Sequence, residues 1–156
     1  MSKEKFYKDL KDGELGERIV AQHFKSLGFE IVEYNKDIRW DIKLRKDGIE
    51  RTFEIKTDRW EIFNYVTNNM FIEANCNGKP SGISATQADY FIYFFPDYEL
   101  AYMIKVDNLK KLINERGDIF RRTERAGDGG RVVGYLVNRN ENKHLFKTLI
   151  IKGFKK

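Results

Sequence analysis

Trp40-Asp41-Ile42-Lys43-Leu44-Arg45-Lys46-Asp47-Gly48-Ile49-Glu50-Arg51-Thr52-Phe53-Glu54-Ile55-Lys56-Thr57 is the stretch from which the fold is read. Asp47-Gly48 stands between two runs of alternating polar and apolar residues. Such a dipeptide suits a two-residue hairpin turn, because its central positions need positive φ. Side chains alternate between faces along a strand, so Phe53 and Ile55 share one side while Glu54 and Lys56 share the other. A two-residue turn pairs Lys46 with Ile49, and that register carries Asp41 directly opposite Glu54. A bulged turn would shift the pairing by one residue and send Asp41 to the other face.

Directly opposed residues hold their Cβ atoms roughly 4.5 to 5.5 Å apart, and like charges there destabilise the sheet unless a proton or cation lies between them. Two converging carboxylates offer hard oxygen ligands to Mg²⁺, which keeps several waters and takes one or two protein carboxylates plus substrate phosphate. Lys56 beside them can stabilise a hydroxide nucleophile or the charge developing on phosphorus. The same alternation also suits an amphipathic hairpin with a solvated face, on which Lys43, Arg45 and Glu50 exchange surface ion pairs.

Upstream, residues 3–27 carry a helical stripe of Phe6, Leu10, Val20, Phe24 and Leu27, with Gly28 as the stop; Gly13 and Gly16 are expected to divide it. Glu17 shares helical spacing with Ala21 and Phe24, which puts it on or beside the buried stripe. Residues 29–34, 39–46, 49–57, 70–75, 90–95 and 100–106 read as strands. The segment 77–82 reads as irregular, with Ser84 or Thr86 capping a short helix after it. Asp107 is expected to cap a helix that ends at Gly117, and residues 121–130 read as a polar, Gly-rich loop. Residues 132–137 and 145–151 close the fold, the latter ambiguous between strand and helix. Alternating helices and strands predict a single α/β domain over 1–156, with a mixed sheet covered by helices.

Composition fits that reading. The chain has 156 residues, 41% hydrophobic and 34% charged, enough for one buried core. Lys plus Arg number 29 against 24 Asp plus Glu, a net charge of +5 that draws the protein toward polyanions. The single Cys76 excludes an internal disulfide, residues 1–10 lack the apolar core of a signal peptide, and no apolar run approaches membrane-spanning length. A reducing, cytoplasmic setting without membrane contact is the expectation. No His/Cys metal spacing and no Gly-rich phosphate loop with Lys-Ser/Thr is present.

Asp41 followed by Glu54-Ile55-Lys56 resembles the PD-(D/E)xK nuclease superfamily, whose signature is an acidic residue on one strand and Glu-x-Lys on the next. Trp40 stands where Pro is usually written. The leading helix Gly16-Glu17-Arg18-Ile19-Val20-Ala21 is similar to that of Holliday-junction-resolvase-like and restriction-endonuclease-like members. Asn69-Met70-Phe71-Ile72-Glu73 and the run from Gly78-Lys79-Pro80-Ser81-Gly82-Ile83 to Ala88-Asp89-Tyr90 resemble small phage-type nucleases of that superfamily. The likeness covers residues 16–95.

The resemblance implies a restriction-endonuclease-like fold and a Mg²⁺-dependent DNA endonuclease, intracellular in phage or bacteria, with Mn²⁺ as a substitute ion. Branched or structured DNA is one implied target, and some such enzymes act as two-fold homodimers. Asp41 and Glu54 would ligate the metal with the Ile55 carbonyl, Lys56 would position water, and Glu17 would hold a metal-bound water. The rival readings are a non-catalytic DNA-binding module on the same scaffold and a protein-interaction domain.

Beyond the motif, Lys79 and Ser81 in the Gly/Pro loop are candidate phosphate contacts. Arg121, Arg122 and Arg125, with Arg116 and Arg131, suit either a phosphate grip or a solvated charge run. Lys143, Lys147, Lys152, Lys155 and Lys156 offer a second basic surface or mere solubility. Glu73 is either an exposed residue or a further ligand, and His23 reads as packed at the core edge.

Overall fold

The structure, a computed structural model, describes residues 3–35, 37–58, 68–116, 121–127 and 130–152. The chain opens with helix α1 (Lys3–Ser26) and continues through strands β1 (Glu30–Tyr34), β2 (Ile42–Lys46) and β3 (Ile49–Thr57). Strands β4 (Asn69–Cys76) and β5 (Lys79–Pro80) follow, then β6 (Tyr90–Phe95), β7 (Leu100–Lys105) and helix α2 (Val106–Glu115). The last third holds β8 (Arg121–Gly127), β9 (Gly130–Asn138), the short helix α3 (Arg139–Asn142) and β10 (Lys147–Ile150).

Six strands in the order β1-β2-β3-β6-β7-β10 form a mixed sheet in which β3 and β6 run parallel and the other neighbours antiparallel. The fold is thus mixed α/β, with a central mixed sheet flanked by helices. A second antiparallel sheet, β5-β4-β9-β8, was not foreseen from the sequence.

Strand β6 explains the layering. Phe91, Tyr93 and Phe95 enter one core with Val106 and Leu109 of α2, Met70 and Ile72 of β4, and Val137 of β9. Ile92 and Phe94 enter the other with Val20, Ala21 and Phe24 of α1 and with Phe53 and Ile55. Both faces of the strand are therefore buried, which is why its sequence is apolar throughout. Each fully buried Phe contributes about 1.5–3 kcal/mol of transfer free energy. Among the described residues, no helix is long and apolar enough to cross a membrane.

Several local expectations are corrected. Helix α1 is not divided at Gly13 or Gly16 but runs unbroken for 24 residues. Gly16 marks a close approach instead: a Cβ there would overlap the Thr57 side chain. The helical cost of glycine, about 1 kcal/mol, is offset by packing of the helix onto β3. Residues 121–127 are a strand and not a loop, pairing with β9 from Arg121↔Leu136 to Gly127↔Gly130. An edge strand can be polar throughout, so its sequence lacks the apolar alternation that would announce it.

Residues 77–82 are not wholly irregular. Asn77 and Gly78 take positive φ of 52° and 78° and close a hairpin with Cys76 opposite Lys79. Pro80 is tolerated because β5 is an edge strand. No helix capped by Ser84 or Thr86 follows, only a single 3₁₀ turn at Gly82–Ser84. Lys105, not Asp107, is the N-cap of α2; Asp107 lies in the first turn, where its charge complements the helix dipole. The ambiguous stretch 145–151 resolves as the end of a 3₁₀ turn (Lys143–Leu145) followed by β10. Gly117 lies outside the described residues.

Candidate active site

The Asp47-Gly48 turn adopts the conformation its dipeptide favours, with φ of 53° and 77°. The ladder runs from Lys46↔Ile49 to Ile42↔Phe53, the register of a two-residue turn. One residue further the chain leaves that ladder, so Asp41 is not simply the next rung facing Glu54. Its N–H donates to the Phe53 carbonyl at 2.8 Å, and its Oδ2 accepts from the Ile55 N–H at 2.7 Å. The Asp41 carbonyl accepts from Asn35 N–H at 2.8 Å, which ties the site to the end of β1. Trp40, which precedes Asp41, is buried in the core.

Glu54 is half-buried and held from a different segment. Its Oε2 lies 3.1 Å from Thr86 Oγ1, which also lies 3.0 Å from the Arg39 carbonyl and accepts from the Ala88 N–H at 3.1 Å. A hydroxyl has one proton for two acceptors. With Glu54 protonated, its carboxyl donates to Thr86 while Thr86 donates to Arg39. With Glu54 ionised, the single proton must serve both oxygens. Thr86, read from sequence as a cap, is therefore the residue that orients Glu54.

Glu17 completes an acidic group. Burial, reinforced by the charges of Asp41 and Glu14 and opposed by Arg18, raises its pKa from 4.5 to about 8. Burial pushes Asp41 up as well, against the bond from Ile55 that favours its charged form. Glu54 is raised by burial first and then by the charges of Asp41 and Glu17, with the Thr86 bond opposing. Three carboxylates from α1, the start of β2 and β3 thus share one partly desolvated region and repel one another. The close contact at Gly16 brings the helix near enough for Glu17 to take part.

Lys56 is exposed and shares with Glu54 a cleft of about 220 Å³, lined also by Ile55, Phe71, Glu73, Gly82 and Phe91. Phe71 and Glu73 come from β4, which does not border the hairpin but faces it across this cleft. Gly82 has φ of 49° and sits against the Glu73 backbone, where a Cβ would overlap the carbonyl. Phe53 and Ile55 are buried against α1 on the other face, as their alternation predicts.

Among the described residues, no three His, Cys, Asp or Glu side chains make a ready-built metal cluster. The donor chemistry suits a cation that brings its own waters: two hard carboxylates whose ionisation is disfavoured until positive charge arrives. Of the remaining predicted residues, Lys79 is exposed on β5. Ser81 donates its N–H to the Ala74 carbonyl at 3.1 Å, and its Oγ is buried without a partner. Neither lines the cleft. The backbone of Arg121, Arg122 and Arg125 lies on β8, and their side chains lie outside the described residues.

The surface-pair reading also holds at the far end of the hairpin, where Arg45 bonds Glu30 at 3.1 Å and Glu50 at 2.6 Å. Lys43 instead lies over the Trp40 ring at 5.0 Å. The hairpin therefore carries ordinary surface pairs near the turn and the acidic group at its base.

No family model and no curated protein matches the chain. Among solved structures, that of the bacterial homing endonuclease I-Ssp6803I is similar with a TM-score of 0.48 and 16% identity, covering 62% of this chain and 68% of that one.

Proposed function

We propose that this protein is a Mg²⁺-dependent DNA endonuclease of the PD-(D/E)xK type, acting on duplex or branched DNA, with Mn²⁺ as a substitute ion. The observation that carries the reading is the convergence of Glu17, Asp41 and Glu54, all with raised pKa, beside a cleft that also holds Lys56. Asp41, Glu54 and the Ile55 carbonyl would hold the ion, which supplies a more acidic water and neutralises charge at phosphorus.

The chain's own groups do the rest. The Ile55 N–H fixes Asp41 Oδ2, and Thr86 fixes Glu54 Oε2, so each carboxylate presents its other oxygen in a defined direction. Lys56 places its ammonium in the same cleft as Glu54, where it stabilises the attacking hydroxide or the phosphorane. Glu17, its pKa raised to about 8 by burial and the neighbouring acids, accepts in its ionised form the proton that the attacking water gives up. Water oxygen bonds to phosphorus, the P–O bond to the leaving oxygen breaks, and that oxygen takes a proton from solvent. Exposed Lys79 and, on β8, Arg121 and Arg125 are the proposed contacts to the phosphate backbone; Ser81, whose Oγ is buried, is not among them.

A panel of linear, nicked, flap and four-way DNA substrates, incubated with Mg²⁺, Mn²⁺ or chelator, tests the reading. Divalent-dependent cutting that disappears in Glu54→Ala and Lys56→Ala, while DNA affinity survives, is the expected result. DNA binding without cutting on every substrate would replace the enzyme with a binding module.

A further inference from the structure

The second sheet sorts the arginines of β8 by face. Phe71 pairs with Leu136, and Leu136 with Arg121; Glu73 pairs with Gly134, and Gly134 with Thr123. Val132, two residues before Gly134, pairs with Arg125. Directly paired residues share a face and alternate residues along a strand return to it, so Arg121, Thr123 and Arg125 occupy the face of Phe71 and Glu73. That is the face which lines the cleft opposite Glu54 and Lys56. The pairing of β8 with β9 carries no bulge, so the alternation is unbroken.

The other face holds Arg122 opposite Tyr135 and Glu124 opposite Val133. Three contacts bear the division out. A Cβ on Gly134 would lie 2.6 Å from Phe71 Cζ, so the Phe71 ring covers Gly134 on the cleft face. Tyr135 packs against the core with Ile72, on the opposite face. Arg131, which precedes Val132 and so alternates with it, forms an ion pair with Glu124. On β8 itself the far face carries a counter-charge in Glu124, whereas the cleft face has Thr123 between its two arginines, its nearest acid on this sheet face being Glu73 two strands away on β4.

Resting on the reading of the cleft as a DNA-cutting site, we propose that Arg121 and Arg125 are its phosphate-backbone grip and that Arg122 and Arg131 are not. Four residues of antiparallel strand span roughly 13 Å, so the two positions reach separate phosphates and do not share one. A backbone held along β8 lies on the same face of the sheet as Phe71 and Glu73, with β9 between them. The grip is sequence-independent, as contacts to phosphate are.

The test compares two double variants of equal charge change, Arg121→Ala with Arg125→Ala and Arg122→Ala with Arg131→Ala. Binding to a labelled linear duplex and to a four-way junction is measured in chelator across a salt series. The first double variant should lose about tenfold or more in affinity and lower the salt slope by about two, because each lost phosphate contact removes nearly one released counterion. The second should stay within about threefold, and Arg121→Lys with Arg125→Lys should restore most of the affinity. Equal losses in the two double variants, or a larger loss in the second, would overturn the assignment while leaving a cutting parent enzyme intact. A parent that binds but never cuts removes the nuclease reading and leaves the grip standing. A parent that binds neither DNA removes both.

Discussion

Two hairpins of this protein carry the same dipeptide between their strands and do opposite things. Asp47-Gly48 joins β2 to β3 with Lys46 paired to Ile49, and residues 128 and 129, again Asp-Gly, separate Gly127 from its partner Gly130. In the first, alternate positions Ile42, Leu44, Phe53 and Ile55 are buried, which forces the polar residues between them onto one face and crowds the acids at its base. In the second, β8 is an edge strand whose positions are nearly all polar, so charge spreads over both faces. Turn chemistry makes a hairpin; what alternates with the polar residues decides whether their charges are strained together or solvated. The acidic hairpin should control turnover and the basic one affinity, and the following experiments can break that division.

The largest effect belongs to Glu54. Glu54→Gln or Asp41→Asn should lower single-turnover cleavage on the order of 10³-fold, since each keeps an amide oxygen but loses the carboxylate charge that would hold the proposed ion. DNA affinity in chelator should hold or rise, because negative charge near phosphate is lost. A parallel fall in affinity would mean that the acids shape the binding surface instead. Lys56→Ala should follow, with a loss on the order of 10²-fold in the rate constant and little change in half-saturation.

Thr86→Val sharpens the comparison from the side of stability. It leaves the Arg39 carbonyl, the Ala88 N–H and Glu54 without their shared hydroxyl. An unsatisfied buried group costs about 1–3 kcal/mol, or a fall in Tm of several degrees. If Glu54 needs orienting, the rate should fall as well; a normal rate in a destabilised variant would reduce Thr86 to a structural role.

A pH series separates strained from solvated acids. Glu17, Asp41 and Glu54 have folded-state pKa values above their unfolded ones, with Glu17 near 8. Folded protein therefore holds more protons than unfolded between about 4.5 and 8, and stability falls as pH rises through that window. Without divalent ion, Tm should drop by a few degrees across it, and Glu54→Gln should flatten the drop. Added Mg²⁺ should restore Tm only toward the alkaline end, where the ligands are ionised. Arg45→Ala, which removes exposed pairs to Glu30 and Glu50, should change stability by less than about 1 kcal/mol.

Much of the acidic hairpin is legible in sequence because three local signals agree there: the turn dipeptide, the alternation and the Glu-x-Lys spacing. They place β3 and the register from Ile42 to Ile49 correctly. They miss the step at Asp41, where one irregular bond to Phe53 redirects the chain. Thr86 is invisible for another reason: it lies 32 residues from Glu54, and its role exists only because β3 and β6 lie side by side. Gly16 misleads because helix propensity is local while its contact with Thr57 is tertiary. The basic hairpin hides behind its glycines, since Ala-Gly-Asp-Gly-Gly resembles a loop until the paired register is known.

The most direct test is Mn²⁺ binding followed by electron paramagnetic resonance at pH 8, with uncut duplex present, for the parent and for Asp41→Asn combined with Glu54→Gln. The account predicts a bound ion in the parent that the double variant releases. Equal binding by both proteins, or none by the parent, would contradict it.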